Sequence, residues 1–273
     1  MNRPNFATVL LLLSCCVCRL NVVRAQENQR DSRKPSLDSD DVLKRFVDEL
    51  VVITPGEDKF PRSVKAPSGE LRPPVMLRIA CYETTQELYQ LVMGENPSEW
   101  KGPRNSAESM SRVDADRFCS RLTQMLQQKS LIAFSDIVRL PTDVEWEYCC
   151  RAGSREPFCF GPLTGSPGLL DQYAWHTGNA AGNDPAVGVL LPNTYGLFDV
   201  HGYLWEYVDV ADGEGGDAQR PVGWAMGGSW RDPATLLASD SRIPVPRYAT
   251  SDAIGFRCVV SSHPQQPQNQ SDR

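Results

Sequence analysis

Nine cysteines and three histidines are the side chains best able to carry metal, redox or nucleophilic chemistry in this sequence. Cys15, Cys16 and Cys18 fall in an apolar N-terminal run, which leaves Cys81, Cys119, Cys149, Cys150, Cys159 and Cys258. None of these six is spaced as the Cys-x-x-Cys of a thiol redox motif or zinc site. His176, His201 and His263 are the histidines, and His263 lies in a polar C-terminal tail. A Ser-His-Asp set drawn from Ser229, His201 and an aspartate has no further support. The run Gly227-Gly228-Ser229-Trp230-Arg231 lacks the closing glycine of a nucleophile elbow. No Gly-rich phosphate loop is present.

These residues must be positioned by a mixed set of elements. Asp40 is placed to cap a helix with Leu43, Phe46, Val47 and Leu50 on one face, ended by Pro55. Thr84-Thr85-Gln86-Glu87 reads as a capping box opening a helix with Leu88, Leu91 and Val92 inward and Gly94 as its stop. Ser111, with Asp114 three residues on, begins a helix striped by Ala115, Phe118, Cys119, Leu122 and Leu126. Thr142-Asp143-Val144-Glu145 is a further capping box, with Trp146, Cys149 and Cys150 on one face and Gly153 beyond. After Gly153 the chain is rich in Gly, Pro, Asn and Asp and predicts loops, tight turns and short strands. Helices first and irregular β structure later give an α+β class.

The ends read differently. Arg3 followed by the 13 residues Phe6–Cys18 is a basic start and an apolar run too short to span a bilayer, which takes about 20 residues. Val23-Arg24-Ala25 offers small side chains for signal cleavage, so residues 1–25 read as a signal peptide. Leu12-Leu13-Ser14-Cys15 also resembles a lipobox, which would leave Cys15 as a lipid tether. Either way the protein is expected to be exported, to the periplasm or outside the cell, with no transmembrane segment. Residues 26–50 read as a polar leader and a short helix, 51–260 as one folded domain and 261–273 as a disordered tail. Without residues 1–25 the chain carries 25 basic against 34 acidic residues, a net charge of −9. That acidity argues against nucleic acid as a partner, because such binding rests on Lys and Arg neutralising phosphates.

Five motifs then align in order between residues 77 and 260. Tyr82-Glu83-Thr84-Thr85, the helix Arg139-Leu140-Pro141-Thr142-Asp143-Val144-Glu145-Trp146-Glu147-Tyr148, and the block Asn193-Thr194-Tyr195-Gly196-Leu197-Phe198-Asp199-Val200-His201-Gly202 with Leu204-Trp205-Glu206 come first. Gly227-Gly228-Ser229-Trp230 and Ile254-Gly255-Phe256-Arg257-Cys258 close the set. Together they resemble the formylglycine-generating enzyme, or sulfatase-modifying factor, family. The resemblance implies an irregular, loop-rich single domain of the C-type-lectin-like kind.

It also implies what chemistry to expect. The family's oxidase binds copper through two cysteines after the Gly-Gly-Ser, and a soft redox metal needs such soft ligands. Those places hold Asp232 and Leu237, so no copper is expected and the oxidation should be absent. The function implied is a non-oxidising module that binds a protein or a small molecule. The alternative is a diverged sulfatase-activating oxidase, or another enzyme using the same groove. The groove would be lined by Trp205, Ser229, Trp230, Arg231 and Asp232. A structural calcium ion is implied at the side chains of Asp199 and Glu206 and the carbonyls of Gly202 and Leu204, a set suited to a hard cation. Tyr203 replaces the family's Asn in that loop. A Cys150–Cys258 disulfide is implied as well, closing a long loop and contributing about 2–4 kcal/mol.

Overall fold

A computed structural model of the chain describes residues 38–73, 76–163, 168–181, 184–210 and 222–262. The signal peptide, the lipobox at Cys15, most of the leader and the tail beyond 262 lie outside the described residues. The chain divides into two units after Asp41. In the first, Asp38 Oδ1 accepts from the Asp40 amide at 3.1 Å as a helix starts, so Asp38 and not Asp40 receives that bond. Apart from the first residues of that helix, the elements belong to the second unit, Val42–Arg273.

Helix α1 (Ser39–Asp48) buries Val42, Leu43 and Phe46. It stops well before Pro55, because Leu50–Ile53 is already strand β1, paired antiparallel with β4 (Leu77–Ala80). Val42, Leu43 and Phe46 belong to the largest core cluster, so the packed fold begins ahead of residue 51. Helix α2 (Gln86–Met93) starts at Thr85 without a side-chain cap. Glu87, the expected partner in that box, is held instead by Arg45 at 2.6 Å. The first amides of α2 are met by carbonyls from elsewhere in the chain: Gln86 donates to Asn105 O and Glu87 to Pro103 O, both at 2.9 Å. This satisfies the orphan donors of a helix start without a local cap. Gly94 ends α2 at φ 84°, a left-handed stop that suits glycine. Helix α3 (Arg112–Gln128) and helix α4 (Asp143–Arg151) both carry complete capping boxes, Ser111 with Asp114 and Thr142 with Glu145.

The remaining strands form two four-stranded sheets and a hairpin. Strands β1, β4, β10 (Val259–Ser262) and β5 (Asp136–Arg139) make the first sheet in that order. Strands β8 (Arg242–Pro246), β7 (Val222–Met226), β6 (Trp205–Val208) and β9 (Ile254–Gly255) make the second, with β6 and β9 parallel. The hairpin pairs β2 (Val64–Ala66) with β3 (Gly69–Leu71). Short strands joined by long irregular connections match the composition after Gly153. The architecture is an α+β, loop-rich single domain of the C-type-lectin-like kind. No helix among the described residues is long and apolar enough to cross a membrane.

The connection between β9 and β10 carries the link between the sheets. Arg257 is fully buried and forms a two-pronged pair with Glu206 on β6, Nε to Oε2 at 2.7 Å and Nη2 to Oε1 at 2.8 Å. Its other donors reach the carbonyls of Ala80, Cys81 and Phe198 at 3.3, 3.2 and 2.9 Å. One guanidinium thus ties Glu206 to carbonyls at the end of β4 and at Phe198, and a buried charge with its donors satisfied is tolerable.

Candidate functional site

The turn after β7 brings the two positions expected to lack thiols into view. Asp232 accepts three hydrogen bonds on one oxygen: from Trp205 Nε1 at 2.8 Å, from the Ser229 amide at 3.0 Å and from the Ser229 hydroxyl. Trp205 and Ser229 are both buried beneath that carboxylate. Leu237 is also fully buried, in a small cluster with Phe158, Leu170 and Ala174. It packs where two glycines leave room. A Cβ at Gly228 would sit 2.9 Å from Leu237 Cδ1, and one at Gly202 would sit 2.8 Å from Leu237 Cδ2 and 2.3 Å from the Trp175 carbonyl. Both glycines hold positive φ, 79° and 105°, so backbone conformation and close approach demand glycine at the same two positions. The Leu237 carbonyl is 2.8 Å from His201 Nδ1.

His201 is locked into this core. Its Nε2 accepts from the Cys159 amide at 3.1 Å, which leaves Nδ1 to carry the proton it gives to Leu237. Burial pushes the imidazole down to about 4, so it stays neutral. A neutral ring with both nitrogens engaged does not serve Ser229 as a base, and Ser229 bonds to Asp232 instead.

The residues expected to hold calcium lie together. Asp199, at φ 57°, accepts from the Gly188 amide on Oδ2 at 3.0 Å, while its buried Oδ1 has no partner among the described residues. Glu206 also accepts from Trp146 Nε1 at 2.8 Å in addition to Arg257. Glu83 approaches from the loop before α2, its Oε1 accepting from the Leu204 amide at 3.2 Å. Three buried carboxylates therefore share one Arg257. Burial pushes Asp199 up to about 6, and burial with the charges of Glu206 and Asp199 lifts Glu83 well above the ordinary range. An orphaned carboxylate oxygen in a surplus of negative charge suits a hard cation. Among the described residues no cluster of three or more His, Cys, Asp or Glu side chains is arranged as a metal site. The expected set has only two carboxylates and otherwise uses carbonyls. Sequence reasoning missed Glu83 and the organising role of Arg257, although both stand inside quoted motifs.

The six cysteines of this unit are all free thiols. The structure does not bring Cys150 to Cys258. Cys150 faces the Val200 carbonyl at 3.3 Å and lies 3.8 Å from the His201 ring nitrogens. The sulfur beside Cys258 is Cys119, at 4.0 Å, because the inward face of α3 packs on the turn that leads into β10.

The open part of the site lies beside this buried layer. Trp230, whose amide bonds to the Tyr203 carbonyl at 2.9 Å, walls a cleft of about 190 Å³ together with Trp100 and Tyr203. Glu108, Asp184 and Asp252 complete its polar lining. Tyr203 adopts φ 67°, a conformation rare for a bulky residue. Its hydroxyl reaches Asp184 Oδ1 and the Pro185 carbonyl, both at 3.2 Å. Of the expected groove residues, Trp230 lines the cleft and Arg231 sits at its rim over the Trp230 ring, 4.9 Å from the centroid. Trp205, Ser229 and Asp232 form the hydrogen-bonded layer described above.

Fold and site together define an irregular α+β domain whose Gly-Gly-Ser turn carries a carboxylate and a leucine. The chain belongs to the sulfatase-modifying factor enzyme 1-like domain family, whose profile matches residues 40–262. It is 34% identical over 77 residues to the formylglycine-generating enzyme of Mycobacterium tuberculosis, covering 25% of this chain and 26% of that protein. It is 29% identical over 136 residues to the inactive C-alpha-formylglycine-generating enzyme 2 of Mus musculus, covering 45% and 43%. The match therefore spans less than half the length of either curated relative. Among solved structures, Treponema denticola variable protein 1 superposes with a TM-score of 0.62 at 23% identity, over 77% of this chain and 94% of that one. That likeness speaks to the fold.

Proposed function

We propose that this chain is an exported, non-oxidising member of its family that binds a ligand through the cleft beside its Gly-Gly-Ser turn. The observation that carries this reading is the structural use of both positions where the oxidase would hold copper. Asp232 is committed to Ser229 and Trp205, and Leu237 is packed against Gly202 and Gly228. Neither a carboxylate nor an isobutyl group can ligate Cu(I) or exchange a disulfide. The existence of a relative named inactive supports the reading. The test is incubation of the purified protein with copper and a Cys-x-Pro-x-Arg peptide, followed by mass analysis for the aldehyde. The expected outcome is no turnover above buffer; measurable turnover would move the assignment to a diverged oxidase. Export is tested separately by the mature N-terminus, at Gln26 after ordinary cleavage or at a lipid-bearing Cys15.

A structural calcium ion at Asp199 and Glu206 with the carbonyls of Gly202 and Leu204 is part of the same proposal. The orphaned Asp199 Oδ1 supports it. Calcium should raise the melting temperature of the wild-type protein and leave Asp199→Asn unmoved. An unchanged wild-type melt with chelator, together with no calcium by elemental analysis, would remove the claim.

A further inference from the structure

The turn from Gly202 to Leu204 carries both carbonyls expected to face calcium, and its backbone is strained. The Leu204 amide bonds back to the Gly202 carbonyl at 3.1 Å across Tyr203, which sits at φ 67°. A three-residue turn of that hand is rare and strained, so it needs support from outside itself. Glu83 supplies it from the loop before α2. Glu83 is 2% exposed, and its Oε1 accepts from the same Leu204 amide at 3.2 Å. Its Oε2 accepts from the Ser106 hydroxyl. The Leu204 N–H is therefore shared, which leaves the Gly202 carbonyl freer to meet an ion. Charge points the same way. Glu206 and Arg257 cancel one another in their two-pronged pair. Glu83 and Asp199 remain, both buried and without an ion pair to a base of their own among the described residues. Two buried carboxylates lacking counterions are costly. Together they call for two positive charges, which one divalent ion supplies.

We propose that Glu83 makes this site require a divalent cation: it supplies the second unbalanced charge and clamps the turn that presents the Gly202 and Leu204 carbonyls. It acts as a positioning residue and not as a ligand, because among the described residues three acids are not arranged around one point. The unpartnered oxygen is that of Asp199, whereas both oxygens of Glu83 are used. An ion held inside a fold is bound as part of folding, so its partners are expected to be sealed from solvent. The proposal rests on the calcium reading above and adds to it a residue outside the implied ligand set.

Glu83→Gln removes the charge and little else. Its amide oxygen still accepts from Leu204 and its NH2 donates to the Ser106 hydroxyl, so no buried group is orphaned. Calorimetric titration of the full chain should show calcium binding at least tenfold weaker in Glu83→Gln, and most of the calcium-dependent rise in melting temperature should vanish. In chelator the variant should melt at or above the wild-type temperature, because a buried charge is gone. A residue that merely braces the fold would lower both melts alike. That result, or unchanged calcium affinity, overturns the proposal. Glu83→Asp keeps the charge and should retain part of the response that Glu83→Gln loses. If it binds as weakly as Glu83→Gln, the charge has no such role. Sodium chloride at matched ionic strength should leave the wild-type melt unmoved, and a rise equal to that with calcium overturns the divalent requirement. A wild-type melt indifferent to calcium sinks the calcium reading itself, whereas a full response shared by Glu83→Gln sinks only the role given to Glu83.

Discussion

Asp232 shows how one residue type changes the use of a turn. Its carboxylate gathers the indole of Trp205 and both donors of Ser229, so the position that the resemblance assigns to a thiol serves here as a structural knot. Asp232→Ala should cost about 1–3 kcal/mol in denaturant unfolding, because it leaves buried donors unpaired. Leu237→Ala should cost about 2–5 kcal/mol, because Gly202 and Gly228 offer no side chain to fill the hole. The cysteines argue the same way. Burial pushes Cys81 and Cys159 up to about 12, which removes nearly all thiolate at pH 8. A thiol of raised pKa is intrinsically more nucleophilic, which offsets part of that loss, so native alkylation should run about a hundredfold slower than for a free thiol. Rapid modification of Cys159 by iodoacetamide at pH 8 in the folded state would contradict that environment.

The helices separate local from tertiary instructions. The boxes of Ser111 with Asp114 and Thr142 with Glu145 form as their spacing predicts, even though Arg117 and Arg139 also pair with the two acids. Thr142→Ala should therefore cost about 1 kcal/mol. The box at α2 does not form, because the helix starts one residue later than a Thr84–Glu87 box requires: Thr85 is at the cap, Leu88 rather than Glu87 falls at the third position, and the Pro103–Asn105 segment supplies carbonyls to the first amides. Thr85→Ala should accordingly cost much less than Thr142→Ala in the same unfolding measurement. Equal losses would show that Thr85 caps the helix after all. Pro55 was a plausible stop for α1, yet the pairing of β1 with β4 ends that helix first. Strand pairing of this kind joins residues far apart in sequence, beyond the reach of a local pattern.

At the scale of the molecule, the connection from β9 to β10 holds the sheets together. Glu206 and Arg257 form a buried pair between them, and removing one partner leaves a charge without compensation. Glu206→Gln should destabilise by about 3–5 kcal/mol. The same connection sets the cysteine pairing. Cys119 and Cys258 lie 4.0 Å apart, so a modest rotation of side chains brings them to bonding distance, whereas Cys150 points at Val200 and His201. Treatment with diamide followed by non-reducing peptide mapping should link Cys119 to Cys258 and leave Cys150 alkylatable. A Cys150–Cys258 peptide would reverse that assignment.

The sequence alone determined the α+β class, the two complete helix caps, the loop-rich second half and the family, because these rest on side-chain spacing and on motifs kept in order. It also marked Asp232 and Leu237 as the positions where thiols are absent. The tertiary structure alone decided what those residues do instead, that Glu83 joins Asp199 and Glu206 around Arg257, and that Cys258 faces Cys119. It likewise placed Glu108 with Trp100, Tyr203 and Trp230, side chains from three separate loops. Burial and the meeting of distant segments set a carboxylate's partners and its charge, and neither is written in the residues beside it.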